Sequence, residues 1–197
     1  MRIGVVSDTH GDTQGWQAAI EGPLAGVELI LHAGDILYHG PRNPMPAGYA
    51  PAALAELMNH APAPIIIARG NCDSDVDQLV LEYPIQAPYA VVVIDGMRII
   101  VNHGDEFGLE NPVPGIARVA EKYAVNLYVC GHTHAPLLER AGDSLIMNPG
   151  SPALPKATSG EPIATVGLIE DDIVRIMTLD GRMILEGAIE RRRRSVR

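Results

Sequence analysis

The sequence predicts an α/β fold in which two facing mixed β-sheets are flanked by helices. Three observations point there. Short β-branched runs recur with polar, glycine-rich ends, helical patterns separate several of them, and the second half turns to hairpins. The runs are IGVVSD (3–8), ELILHAGD (28–35), PIIIARGN (64–71), RIIVNHGD (98–105) and NLYVCGH (126–132). Their apolarity is nearly continuous rather than alternating, which marks strands buried on both faces. Helical patterns lie near 14–25 (QGWQAAIEGPLA), 51–61 (PAALAELMNHA) and 114–124 (PGIARVAEKYA). Strand alternating with helix gives a layered α/β arrangement. Further on, PLLERAGDSLIMN, PIATVGLIEDDIVRIMTLDG and RMILEGAIE read as strands joined by AGDS, EDD and LDG turns, hence as hairpins. One connection, ILYHGPRNPMPAGYAP (36–51), is rich in Pro and Gly, and ordered loops of that length are often functional.

At 197 residues, with 47% hydrophobic and 20% charged residues, the chain suits one soluble domain with a sizeable core. No apolar run approaches the roughly 20 residues of a membrane helix, and MRIGVVSD enters a strand pattern with none of the order of a signal peptide. Cys72 and Cys130 form no disulfide or zinc spacing, so reduced thiols and a cytoplasmic location are expected. The formal charge is −9, and the terminal RRRRSVR holds five of the fifteen basic residues. Residues 1–190 therefore carry ten basic against twenty-four acidic side chains, a net of −14. Such a body argues against general affinity for nucleic acid. The arginine run reads as a solvated, disordered tail.

Sites in α/β sheets are built at strand ends, and the polar residues there are D8-T-H10, G34-D35, G70-N71, H103-G104 and G131-H132-T-H134. Singly these signals are weak, since capping or a satisfied core polar group explains each. Together, side-by-side strands would bring Asp8, His10, Asp35, Asn71, His103, His132 and His134 to one edge. Residues i and i+2 of an extended backbone face the same way, so His132 and His134 should both point into the site. Gly131 would let the chain turn in tightly, and Pro136 would redirect it. Imidazole nitrogen with carboxylate and amide oxygen, and no thiolate, is the ligand set of manganese, iron or zinc rather than copper(I) or an iron–sulfur cluster. Seven ligands suit two metals about 3.5–4 Å apart.

In this order the motifs resemble the calcineurin-like metallophosphoesterase superfamily, over nearly the whole chain up to about residue 185. The stretches HGPRN, GYAP, ARGNCDSDVDQ, GHTH and NPGS resemble its bacterial YfcE-type phosphodiesterases in particular. The resemblance implies a four-layer α-β-β-α metallophosphoesterase sandwich over residues 1–186, with the tail at 187–197. It implies Asp8, His10, Asp35 and His134 on one divalent ion and Asp35, Asn71, His103 and His132 on a second, with Asp35 as bridge. Manganese comes foremost, with iron, zinc or nickel as alternatives. Two ions, two carboxylates and a bridging hydroxide would leave one net positive charge for a phosphate. Asn71 would ligate without cancelling that charge and keep amide hydrogens for a phosphate oxygen. The implied activity is hydrolysis of a small phosphodiester by that hydroxide. Alternatives are a phosphomonoesterase on the same metals, or a non-catalytic scaffold such as the retromer subunit of this fold.

The chain also departs from the family. Many members carry His after the Asn, able to protonate the leaving group, where this chain has Cys72, and a thiol is a poorer donor to an alkoxide. A second His of the pattern is replaced by Asp105, which could orient a ligand imidazole. In the long loop, His39 and Arg42 are candidate substrate contacts, Arg42 because its fork suits two phosphate oxygens. The same loop could instead serve a homo-oligomer contact. His32 reads equally as a core or a site residue, and Asp73 as a cap or a ligand-orienting group. Residues 148–151 (NPGS) read as a supporting turn, and Cys72 as an outer neighbour of the ligands. Cys130, Trp16 and Phe107 read as core.

Overall fold

The computed structural model describes residues 1–157 and 159–191. Its framework begins with β1 (Arg2–Val6), which pairs in parallel with β2 (Leu29–His32) and antiparallel with β9 (Thr165–Glu170). With β3 (Ile65–Ile67), β10 (Ile173–Thr178) and β11 (Met183–Ala188) they form a six-stranded sheet ordered β11-β10-β9-β1-β2-β3. A second sheet holds β4 (Tyr89–Ile94), β5 (Met97–Asn102), β6 (Leu127–Val129), β7 (Leu137–Ala141) and β8 (Ser144–Asn148), ordered β4-β5-β6-β8-β7. Both sheets mix parallel and antiparallel pairs.

The apolar runs are continuous because each central strand is covered twice. Between the sheets, Ile3, Val5 and Leu31 meet Val101, Val129 and Met147. On the outer face of the first sheet, Ile30 and Ile67 pack under α1 (Thr13–Glu21) and α2 (Pro51–Asn59) through Trp16, Ala19, Leu54 and Met58. On the outer face of the second, Ile100, Tyr128 and Ile146 pack under α3 (Val113–Lys122) through Ile116 and Ala120. This is the expected four-layer sandwich. Asp12 starts α1 by accepting the Gly15 N–H at 3.0 Å, and α1 stops at Glu21, before Gly22 and Pro23, short of the expected residue 25. No helix among the described residues is long and apolar enough to cross a membrane.

Two boundaries differ from expectation. The strand β4 is absent from those expected although its YAVVVI run is continuously apolar; it lies at a sheet edge with Val91 and Val93 each 64% exposed, so here the run does not mark burial on both faces. It joins β5 through Asp95 and Gly96, both at positive φ, the two-residue hairpin turn that Asp-Gly favours. The tail was expected to begin at residue 187, but β11 runs to Ala188, Ile189 is buried, and Arg191 pairs with Asp172 at 2.7 Å. Residues 187–191 thus belong to the folded body, and the rest of the RRRRSVR run lies outside the described residues.

Candidate metal centre

Asp8 and His10 follow β1, Asp35 follows β2, Asn71 follows β3, His103 follows β5, and His132 and His134 follow β6. These loops emerge at the carboxyl ends of parallel strands, so the topology gathers all seven at one edge. Asp8, His10, Asp35, His132 and His134 have φ between 46° and 66°. Asp and His are enriched in this left-handed region, yet each such residue costs about 1–3 kcal/mol, strain that clusters at functional sites. The extended geometry expected for His132 and His134 is therefore replaced by two left-handed turns, which aim the rings at different partners. His134 Nε2 lies 3.1 Å from His10 Nε2, and His132 Nδ1 lies 3.3 Å from His103 Nε2. Gly131 is required by space: a Cβ there would collide with Ser7 Oγ and lie 2.7 Å from Asp8 Oδ2.

Two clusters meet at Asp35. In one, Asp8 Oδ1 lies 3.3 Å from His134 Nε2 and 3.7 Å from His10 Nε2, and His10 Nε2 lies 3.8 Å from Asp35 Oδ2. In the other, His103 Nε2 lies 3.4 Å from Asp35 Oδ2 and 3.1 Å from Asn71 Oδ1. Asp35 Oδ1 accepts the Cys72 N–H at 2.8 Å, which leaves Oδ2 to face both clusters. The Nδ1 atoms of His10, His134 and His103 sit 2.7, 2.8 and 2.8 Å from the carbonyls of Tyr38, Leu154 and Ala33. A carbonyl only accepts, so each Nδ1 carries a proton and each Nε2 faces the centre, where it can ligate a cation once it holds no proton. The Nε2 atoms of His10 and His134 crowd together at 3.1 Å, and the buried Asp8 Oδ1 has no hydrogen-bond partner. Divalent cations relieve both problems, and the imidazole and carboxylate donors fit them.

The surroundings hold this geometry. Asp8 Oδ2 accepts from Ser7 Oγ at 2.6 Å and from His132 N at 3.0 Å, and Asp8 O accepts from Ser151 Oγ at 2.7 Å. Asp73 accepts from the backbone N–H groups of Asp35, Ile36 and Gly70 at 2.7–2.9 Å, clamping the loop after β2 to that after β3. Burial alone would raise the Asp8 and Asp35 carboxyls, but the histidines facing them hold both below the usual range. Burial alone would lower His103, but its bond to Asp35 and the charges of Asp8 and Asp35 push it up to about 10. His134 is raised against the pull of burial by Asp8, whereas burial lowers His10 and His132.

His32 is a satisfied core residue: Nδ1 accepts from Gly34 N at 3.1 Å, and Nε2 lies 3.2 Å from Thr9 Oγ1. Asn148 supports the site, donating to Gly131 O at 2.6 Å and Thr133 Oγ1 at 3.0 Å. Cys72, read as an outer neighbour, has its thiol within 4.8 Å of the ligand atoms of His10 and Asp35. Asp105 starts a short 3-10 turn and is exposed, while a carbonyl orients His103. His39 is half-buried with its ring edge-on to Tyr38 and Tyr49, and Arg42 is exposed, with no hydrogen bond or ion pair among the described residues. Their loop reaches the centre through Tyr38 O and through Gly40, whose Cβ position is 3.2 Å from Cys72 Sγ. Sequence reading missed Ser7 and the orienting carbonyls. Ser7 had a signal, a hydroxyl next to Asp8, whereas carbonyls leave none.

Residues 1–171 match the family profile of the calcineurin-like phosphoesterase superfamily domain. Phosphodiesterase YfcE of Escherichia coli K12 is 37% identical over 186 residues, covering 94% of this chain and 96% of that protein. A probable metallophosphoesterase of Methanothermobacter thermautotrophicus is 29% identical over 191 residues, covering 95% and 94%. The solved structure of the E. coli phosphoesterase YfcE superposes with a TM-score of 0.81 at 34% identity, covering 96% of this chain and all of that one. Zinc-bound Vps29 of Entamoeba histolytica, at 17% identity and a TM-score of 0.68 over 95% of this chain and 99% of its own, shares the fold. On these similarities the chain belongs to the calcineurin-like phosphoesterase superfamily.

Proposed function

We propose that this chain is a dinuclear metal-dependent phosphodiesterase that hydrolyses a small phosphodiester, with manganese the foremost cation and the cytoplasm its location. The observation that carries the reading is the shared face of Asp35: one carboxylate oxygen looks into two ligand clusters at once, 3.8 Å from His10 Nε2 and 3.4 Å from His103 Nε2. Two divalent ions held there would supply Lewis acidity to phosphoryl oxygens and bring the pKa of a water towards neutrality. The chain's own part is placement. Asp8 and Asp35 bring only two negative charges to the centre, so an anionic phosphate is still attracted. Asn71 is exposed at its mouth and its amide makes only a long 3.4 Å contact to Cys72 Sγ, so its N–H groups can meet a phosphate oxygen. Buried His10, His103 and Asp8 keep bulk water from the ligand side. His39 and Arg42 are the proposed contacts from the long loop. The choice of a diester is supported by the named activity of the E. coli relative.

Metal analysis of protein purified without chelator, combined with parallel assays of bis(p-nitrophenyl) phosphate and p-nitrophenyl phosphate, tests the reading. Two bound equivalents, faster turnover of the diester, and loss of both activity and one equivalent in Asp35→Asn are expected. Faster turnover of the monoester would make the protein a monoesterase. Two bound metals with no turnover of either would favour a scaffold.

A further inference from the structure

Beside the ligand turn runs a groove of about 470 Å³, within the range of small-molecule sites. Its floor is the turn that carries two ligands, through Thr133 and Ala135, and its far wall is the segment leading into α3, through Leu109, Pro112 and Val113. Lys156 forms the rim, and its backbone N–H donates to His134 O at 3.1 Å, fastening the rim to a ligand. Thr133 stands between His132 and His134 in the chain, so the groove's floor is continuous with the turn that carries two candidate ligands. Its Oγ accepts from Asn148 Nδ2 at 3.0 Å and from Ala135 N at 3.4 Å. With both lone pairs engaged, its proton is left to donate outward. Glu110 and Glu139 also line the groove and outweigh Lys156, so a further anion is disfavoured there.

A diester with its phosphorus at the metal centre has two organic groups to place. One must escape as the leaving group, and the other gains from a walled groove. We propose that the groove binds the ester group retained on phosphorus, an uncharged, partly apolar group of aryl or nucleoside type, with the Thr133 hydroxyl donating to one of its oxygens. This assignment rests on the phosphodiesterase reading above.

Thymidine 5′-(p-nitrophenyl) phosphate and methyl p-nitrophenyl phosphate share a leaving group and differ only in the retained one. The ratio of their kcat/KM values is measured in the wild type, in Ala135→Leu, which fills the floor, and in Leu109→Glu, which charges an exposed part of the wall. Each variant should lower the ratio by about tenfold or more. An unchanged ratio in both overturns the groove assignment. Calorimetric titration of the manganese-loaded proteins with thymidine 5′-methylphosphonate, in which a P–C bond that hydrolysis cannot break stands in place of the aryl ester, gives a second readout: weaker binding in both variants supports the groove, and equal binding overturns it. If the wild type cleaves neither diester, the phosphodiesterase reading fails, and the titration still decides whether the groove binds such a group.

Discussion

Replacing Ser7 with alanine should weaken metal binding without unfolding the protein. Ser7 Oγ donates to Asp8 Oδ2 at 2.6 Å, and both side chains are fully buried. A hydrogen bond to a charged acceptor contributes about 1.5–3 kcal/mol. The bond fixes the carboxylate so that Oδ1 faces His10 and His134, and only the His132 N–H at 3.0 Å remains to hold Oδ2 once the hydroxyl is gone. Loss of a group that orients a metal ligand commonly lowers affinity about 10–100-fold, which is about 1.4–2.7 kcal/mol. The two routes agree. Calorimetric titration of chelator-stripped Ser7→Ala with Mn²⁺ should show that rise in Kd, with unchanged circular dichroism and partial recovery of activity at high Mn²⁺. A Kd equal to that of the wild type would refute the claim that Ser7 aims Asp8.

Two further predictions concern protons. In the metal-free protein the imidazolium of His103, pushed up to about 10, stabilises the fold fully below its ordinary value of about 6.5. That contribution is lost as pH rises through about 10. A cation must displace this proton, so loading Mn²⁺ at pH 8 should release about one proton from His103, and affinity should drop as pH falls; calorimetry in two buffers of unlike ionisation enthalpy measures the release, and none seen would refute it. Burial and then Asp35 push the Cys72 thiol above its ordinary value, which leaves it a poor donor to a departing alkoxide. Aryl diesters should therefore be cleaved at least about a hundredfold faster than dialkyl ones, and Cys72→His should narrow the gap; equal rates in the wild type would sink the idea.

Much of the architecture could be read from residues because burial leaves a compositional trace. Five strands showed continuous apolar runs, and the polar cluster after each held the candidate ligands. β4 was missed although YAVVVI carries the same continuous apolarity and Asp95-Gly96 marks its hairpin; with Val91 and Val93 exposed, its run reports strand propensity rather than burial on both faces. At the site, the candidate ligands were legible because only a few side chains bind cations. Their orientation was not, since Tyr38, Leu154 and Ala33 act through carbonyls that any residue would supply. Nor could spacing alone reveal that His132 and His134 adopt left-handed φ values and part to different clusters.

The candidate ligands come from both layers: Asp8, His10, Asp35 and Asn71 from loops of the six-stranded sheet, His103, His132 and His134 from loops of the five-stranded one. The slab of valine, leucine and isoleucine between the layers therefore acts as a spacer that would set how wide a seat for the proposed cations can be. Trimming a methyl group deep in that slab, far from any ligand, would let the layers settle and change which ion sizes the seat accepts.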